Sequence, residues 1–525
     1  MLEQVLGLAA EECSVIDVGE DGVEVLGREI RDLVQQPWNP DVIKHPYSVH
    51  ENLHVDRPAP AEMAGRLGVM HLHDTSTEVL TQAVVRYAVE RVRLDPPPLD
   101  GPRSLAELKA MAGRTISPRG LGGLEALRVF SDVLAPACIS VDHPRFLSFV
   151  PAAPTEASIL FDLVVGACSI YGGSWMEGGG AVFAENEALR FLADAAGLPA
   201  EAGGVFVSGG TAGNLSALIA ARYRWRERAA GRHDRTRGLI ISSKGAHSSI
   251  AQACRAMDTD EVQVSADAEG RLHVENLRAA VAALDPVDRD RVFAIVATCG
   301  TTNAGVIDDL SAAADVADEL GVWFHVDGAY GGAGLLAPSV RNSFRGIERA
   351  DSFIVDPHKW LFAPFDCCAL LYRDPLLARR AHTQHAEYLD VLHTDTEDEW
   401  NPSDFAHHLS RRARGLPFWF SLATYGTDAY RDAVETTLAV AKGGARLIDE
   451  APHLELVLEP ELSIVMFRRK GWSPERYQAW SDLMLAEGKA FVVPTTWAGE
   501  TVLRYCVVNP LTTIDDIRLV VDSLA

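Results

Sequence analysis

The sequence predicts an α/β fold: a large domain around a mostly parallel sheet, preceded by a helical segment and followed by a small α+β domain. Three observations carry this. Between about residues 155 and 430, runs of near-continuous Val, Ile, Phe and Leu alternate with amphipathic stretches, the pattern of strands buried on both faces and separated by helices. Over roughly the last 95 residues the pattern changes to strand, helix, strand, strand, helix. At 525 residues the chain also exceeds what one simple core holds, so a large domain with smaller pieces is expected.

Taken in order, residues 1–70 read as an extension with a loop, holding "QQPWNPDVIKHPYSVHENLH" and the proline-containing "DRPAPAE". Residues 71–154 form the helical segment. In "HDTSTEVLTQAVVRYAVERVRL", Val79, Leu80, Ala83, Val84, Tyr87 and Ala88 share a face, and Thr75-x-x-Glu78 supplies a capping-box start. "DPPPLDGP" breaks the chain before further helical stretches at "SLAELKAMAG" and "GLEALRVFSDVLAPA".

The large domain, 155–432, begins with "GGVFVSGG" followed by "TAGNLSALIAARYRWRERAA", then "GLIISS" followed by "HSSIAQACRAM". "VFAIVATCG" precedes "LSAAADVADELG", and "VWFHVDGAYGG", "SFIVDPH" and "CCALLYR" complete the sheet. Functional loops are expected at the carboxyl ends of such strands. "HTDTEDEWNPSDFAHHL", 393–409, is polar, acidic and aperiodic, and reads as a mobile loop. The small domain, 433–525, holds the strand "ELSIVMFRR", the helix "PERYQAWSDLMLAEG", two strands in "KAFVVPTTWAGETVLRYCVV" and the helix "TIDDIRLVVDSL".

A formal net charge of -25 repels phosphate backbones and anionic lipid, so neither nucleic acid nor a membrane is an expected partner. The amino terminus carries Glu3, Glu11 and Glu12 with no early Lys or Arg, unlike a secretory signal, and no run of about 18 apolar residues occurs. Eight cysteines without a C-x-x-C pair read as reduced thiols of a cytoplasmic protein.

Four segments at predicted strand ends carry chemistry. In "SGGTAGN", Gly209 and Gly210 let backbone amides approach an anion at a helix N-terminus, and Thr211 adds a hydroxyl. In "HVDGAYGG", Asp327 ends an apolar strand, where a carboxylate needs a cation or a strong donor. In "SFIVDPHKWLFAPFDCCALLY", Lys359 stands between apolar runs; an amine desolvated beside a positive partner loses its proton and becomes a nucleophile toward aldehydes. In "KGAHSSI", His247 can stack on a flat ring. Each alone has a plain structural alternative: a turn, a salt-bridged Asp, a Lys that snorkels to solvent, a structural His. Together they meet the needs of pyridoxal 5'-phosphate.

These segments, with "HPRFLSFVPAAPTEA", resemble the group II pyridoxal-phosphate-dependent amino-acid decarboxylases, which include aromatic-amino-acid, glutamate and diaminobutyrate decarboxylases. The resemblance spans about 75 to 525. It implies the aspartate-aminotransferase-like fold, with a seven-stranded sheet, and a homodimer whose N-terminal helices exchange between subunits. It also implies that Lys359 joins the cofactor aldehyde, Asp327 pairs with its ring nitrogen and His247 lies on the ring. Gly210, Thr211 and His358 would lie around the phosphate, with Ala329 under the ring and Thr302 lining the site; Gly209 and Asp356 are also counted among the cofactor-binding residues.

Tyr388, in "HAEYLDVL", matches the tyrosine that the family uses to protonate Cα; phenylalanine there is the pattern of aldehyde-forming relatives. Phe149, Val150, Tyr171 and Trp175 would form an apolar substrate wall, the "SIYGGSWMEGGG" segment reaching across the dimer interface. Three positions depart from the aromatic enzymes: Ala152 for threonine, Gly173 for a bulky aromatic and Asp356 for asparagine. The expected reaction is decarboxylation of an L-amino acid, an aromatic one first. Aldehyde-forming oxidative decarboxylation and transamination are the alternatives, and the departures leave a larger or non-aromatic substrate open.

One rival pattern is "HENLH", where His50, Glu51 and His54 fit the zinc-protease signature H-E-x-x-H. Pro46, Pro58 and Pro60 crowd the helix it needs, and 17 histidines make a chance match easy. "HLHD" at 71–74 is weaker still. No metal is expected.

Overall fold

A computed structural model describes Met70 and residues 73–229, 236–387, 389 and 399–525. The 1–69 extension with His50, Glu51 and His54, part of "HLHD", Tyr388, and the start of the 393–409 stretch lie outside the described residues. The chain divides into two units, residues 1–81 and 82–525. Helix α1 (Thr75–Val92) starts in the first, and none of its residues is buried. Its first-turn amides are capped by Asp74, whose Oδ1 accepts from Ser76 N at 2.9 Å and Thr77 N at 3.1 Å. Thr75 is therefore the first helical residue and not the cap, a correction of one position: a carboxylate one residue earlier competes well for those amides.

In the second unit seven strands form one sheet: β1 (Gly203–Val207), β2 (Leu239–Ser243), β3 (Asp260–Val264), β4 (Val292–Thr298), β5 (Trp323–Asp327), β6 (Ser352–Val355) and β7 (Cys368–Tyr372). Their order is β1-β7-β6-β5-β4-β2-β3; β7 is antiparallel to both neighbours and the other pairs are parallel. Every residue of β2, β4, β5 and β7 is buried, because helices cover both faces. The two-residue strand period divides them: Ile241, Ile295, Phe324 and Phe353 enter one apolar cluster, while Ile240, Ala294, Trp323 and Ile354 enter the other. Full burial of each of these Ile and Phe side chains contributes about 1.5–3 kcal/mol.

Three pieces of this layer position the site. Helices α2 (Glu156–Cys168) and α3 (Trp175–Ala195) precede the sheet, and α4 (Gly210–Arg228) follows β1. Small residues let α4 lie close on the sheet: a Cβ at Gly213 would meet Ile354 Cγ2 at 2.9 Å. Helix α5 (Ser248–Met257) follows β2, the single turn α6 (Pro357–Trp360) follows β6, and the long α7 (Leu416–Glu450) leads to the second sheet. The sequence boundary at 432/433 falls inside α7, whose backbone breaks at Gly426, φ 76°.

The second sheet, β8 (Leu454–Leu458), β9 (Ile464–Arg469), β10 (Pro494–Trp497) and β11 (Glu500–Cys506), is antiparallel in the order β10-β11-β9-β8. β3 and β8 had no place in the sequence reading. Both are edge strands, covered on fewer sides, so their polar residues hide the pattern.

The reading of 393–409 as a mobile loop is corrected over 399–409. Asn401 to Ala406 are all buried. Trp400 stacks on Phe405 with ring centroids 4.0 Å apart and donates to Gly204 O at 3.0 Å, and Asn401 Oδ1 accepts from Trp175 N at 2.9 Å. Two aromatics in a polar string supply the burial that composition conceals. The next turn is held by Arg411, whose two terminal nitrogens lie 2.7 and 2.8 Å from the carboxylate of Glu185 on α3. Gly415 N donates to the same carboxylate at 2.8 Å, and both charged side chains are at most 2% exposed.

Candidate active site

The cavity forms where chain segments leave the sheet. β1 turns sharply into α4, and the cap residue Gly209 has no side chain to satisfy the first amides of the helix. Those amides and the dipole behind them suit an anion. A Cβ at Gly210 would meet Ala329 Cβ at 3.1 Å and Asp356 Oδ2 at 3.3 Å, so the backbone lies close against that wall.

Asp327 ends β5 as a buried carboxylate. Its Oδ1 accepts from Ala329 N at 3.1 Å and its Oδ2 from Asn214 Nδ2 at 2.9 Å. Two donors from behind hold the carboxylate toward the cavity with acceptor capacity to spare.

At the end of β6, Asp356 stands just before α6 and Pro357 takes the first helical position, which sets Lys359 one turn on. Lys359 Nζ lies 2.8 Å from Asp356 Oδ2, and Asp356 is 1% exposed. Burial alone would lower the Lys359 pKa, but the charge and hydrogen bond of Asp356 outweigh it and the net shift is upward. Burial would raise the Asp356 pKa, and Lys359 and then His358 outweigh that, so it falls. The expectation that positive neighbours free the amine is thus corrected: the nearest charge is a carboxylate, which keeps the proton on the lysine. His358 Nδ1 accepts from Cys367 N at 3.0 Å, which leaves its Nε2 on the side of Asp356, 3.6 Å away.

One cavity of about 500 Å³ brings together all ten residues assigned to the cofactor: Gly209, Gly210, Thr211, His247, Thr302, Asp327, Ala329, Asp356, His358 and Lys359. Thr298 Oγ1, buried in the same wall, has no hydrogen-bond partner. An anion cradle, a buried carboxylate, an amine and a face for a flat ring fit pyridoxal phosphate.

Phe149, Val150, Tyr171 and Trp175 do not line this cavity. Phe149 is 60% exposed, with its ring 6.2 Å from that of Phe491. Tyr171 folds over Gly173, where a Cβ would meet its ring at 2.5 Å, and its hydroxyl donates to Leu409 O at 3.2 Å. Asn214, Tyr330, Phe365, Asp366 and His407 line the cavity without having been singled out. Asn214 closes "SGGTAGN", so its place near the start of α4 was within reach; nothing local in "FAHHLS" marks His407.

The pyridoxal-dependent decarboxylase conserved domain matches residues 124–470. An aromatic-L-amino-acid decarboxylase of Bacillus atrophaeus is 31% identical over 390 residues, 72% of this chain and 79% of the relative. An L-2,4-diaminobutyrate decarboxylase of Rhizobium meliloti (strain 1021) is 30% identical over 400 residues, 73% and 78% of the two chains. The crystal structure of Oryza sativa TDC with PLP and tryptamine superposes with a TM-score of 0.80 at 24% identity, covering 86% of this chain and 98% of that one.

Proposed function

This chain belongs to the pyridoxal-dependent decarboxylase family, and from that premise we propose that its substrate is an aromatic L-amino acid, released as the amine and CO2. It has the aspartate-aminotransferase-like fold and is a pyridoxal-phosphate-dependent carboxy-lyase acting on amino acids. The observation that carries the site assignment is the convergence of ten residues from separate chain segments on one cavity around Lys359.

Bound there, pyridoxal phosphate supplies a sink for the electron pair left at Cα when the carboxylate departs. Lys359 is the amine that holds the cofactor covalently. The first-turn amides of α4, with the Thr211 hydroxyl, hold its phosphate, and Asp327 keeps a proton at the ring nitrogen. His247 would lie on the ring, with Ala329 beneath it; both line the cavity. Tyr388, by its match to the family tyrosine, returns the proton to Cα, which separates amine from aldehyde as the product.

Two features support an aromatic substrate beside the Bacillus relative. Among the described residues no arginine lines the cavity to meet a side-chain carboxylate. Asp366, which a side-chain ammonium would seek, is already paired with Arg414. Mass-spectrometric product analysis tests the reading, with L-tyrosine, L-DOPA, L-tryptophan, L-phenylalanine, L-glutamate and L-2,4-diaminobutyrate offered in parallel. Amine from the aromatic set alone supports it; turnover of only the polar substrates rejects the substrate class, and aldehyde with ammonia rejects the role of Tyr388.

The working form we read as a cytoplasmic homodimer. Leu160, Leu163 and Val164 of α2 and Met176 and Phe183 of α3 are exposed, which suits burial against a second copy. That copy would also bring the "SIYGGSWMEGGG" segment toward a site that its own chain does not reach. Among the described residues no helix is long and apolar enough to cross a membrane, and the cysteines are free thiols.

A further inference from the structure

Behind the cavity a row of polar groups is hydrogen-bonded end to end. Trp323 Nε1 lies 2.7 Å from Ser352 Oγ, which lies 2.8 Å from His325 Nδ1. His325 Nε2 lies 2.8 Å from Asn214 Oδ1. Asn214 Nδ2 lies 2.8 Å from Ser249 Oγ and 2.9 Å from Asp327 Oδ2. Ser249 Oγ lies 2.8 Å from His247 Nδ1, which the backbone N–H of Ser249 also reaches at 3.2 Å.

The directions are anchored by two groups with a single role, the Asp327 carboxylate and the Ser249 backbone N–H. An indole N–H and a backbone N–H only donate, and a carboxylate only accepts. Ser352 Oγ takes the indole proton; toward His325 Nδ1 a hydroxyl can either give or take, so that bond takes its direction from the Asp327 end. His325, whose pKa burial lowers to about 4, is neutral; its proton sits on Nε2 and goes to Asn214 Oδ1. The Asn214 amide nitrogen is turned to Asp327 and Ser249. The opposite flip would set the amide oxygen against the Asp327 carboxylate, acceptor against acceptor, so the carboxylate fixes Asn214 and, through it, the Nε2 proton of neutral His325. Ser249 Oγ, accepting from Asn214, gives its proton to His247 Nδ1, as the Ser249 backbone amide also does.

We infer that Asn214, acting through Ser249, is a positioning residue that holds neutral His247 with its proton on Nε2, so that the ring offers the cavity a fixed hydrogen-bond donor. In that form Nε2 can give a proton into the cavity and cannot take one from it, and the ligand atom it serves is an acceptor. The same amide donates to Asp327, so one side chain orients both the group over the cofactor ring and the group at its nitrogen. This deepens the decarboxylase reading and rests on it only for what the donor serves.

The test reads the ring itself. Cofactor-loaded enzyme carrying 15N only in histidine is measured by solid-state NMR near neutral pH, and the resonances lost in His247→Gln identify the ring. The expected result is an unprotonated Nδ1 and a protonated Nε2. Ser249→Ala and Asn214→Leu should each convert this single form into a mixture of tautomers while circular dichroism stays unchanged. A proton on Nδ1 in the parent enzyme overturns the inference, as does an unchanged single tautomer in the folded variants. Should Asn214→Leu not fold, Ser249→Ala decides alone. The substrate panel is read separately, so failure of the decarboxylase reading and failure of this one are told apart.

Discussion

Lys359 Nζ and Asp356 Oδ2 stand 2.8 Å apart, an ion pair closed within one helical turn by residues three apart. The upward shift of the Lys359 pKa depends on that carboxylate. Asp356→Asn should therefore lower it, leaving more free amine at neutral pH. Cofactor-free Asp356→Asn protein is expected to capture added pyridoxal phosphate faster than the parent near pH 7, with the pH profile of capture moved to lower pH. Absorbance after mixing checks this, and an unmoved profile would falsify the pairing argument.

Removing the amine or the ring-nitrogen partner should be severe. Lys359→Ala is expected to lose turnover together with the absorption band of the covalently held cofactor. Asp327→Ala should keep that band and lose kcat by a factor on the order of 10²–10³, the range for removal of one preorganised charge-stabilising group. A band that survives in Lys359→Ala would remove the lysine from its role.

Gly210→Ala tests the cradle. The added methyl meets Ala329 Cβ at 3.1 Å and Asp356 Oδ2 at 3.3 Å, so the wall must give or the cofactor must shift. Overpacking of about 1–2 kcal/mol corresponds to roughly tenfold weaker cofactor retention. Equilibrium titration of the cofactor should show this with the melting temperature little changed; equal affinity would mean that nothing binds close to that backbone.

Tyr388→Phe should lower the amine and, with dioxygen as the oxidant, raise aldehyde and ammonia from the same substrate, read by mass spectrometry of the products in air. Unchanged amine yield would take Tyr388 out of the mechanism.

Buried neutral histidines should make the fold acid-sensitive. Burial lowers the pKa of His325 and of His382 to about 4 and that of His408 to about 3. Their unfolded-state value is near 6.5, so between these limits the unfolded chain binds more protons and stability falls as pH falls. For His325 alone the loss between pH 7 and pH 5 is roughly 2 kcal/mol. Thermal denaturation at the two pH values should show a clear drop; equal melting temperatures would mean that these rings are not held neutral.

What could be read in the sequence was whatever burial writes as a run. Strands covered on both faces appear as unbroken apolar stretches, and the loops leaving them carried Lys359, Asp327, His247 and Gly210 in short quoted strings. β3 and β8 escaped because edge strands tolerate polar residues. The Asp356–Lys359 pair lay in plain view within "VDPHKW", but its sense depends on a single helical turn, Pro357–Trp360, too short to leave a helical pattern in the sequence. Asn214, His325 and Ser352 are joined only by the parallel order of β5 and β6 under α4, and no local pattern encodes that order. The apolar side chains at Phe149, Val150, Tyr171 and Trp175 were legible as a group, but not the direction in which the chain would turn them.

The bond between Glu185 and Arg411 also bears on how the chain is assembled. The two residues are 226 positions apart, and a carboxylate buried that deeply without its cation is costly, about 3–5 kcal/mol when one partner of such a pair is missing. During synthesis α3 emerges long before Arg411 exists, so its inner face stays uncompensated until the segment beyond residue 411 has left the ribosome and folded back. The lobe that holds Lys359 is thus clasped by a turn late in its sequence, and a chain truncated shortly before Arg411 keeps nearly all of the cavity's lining residues without the clasp that closes them.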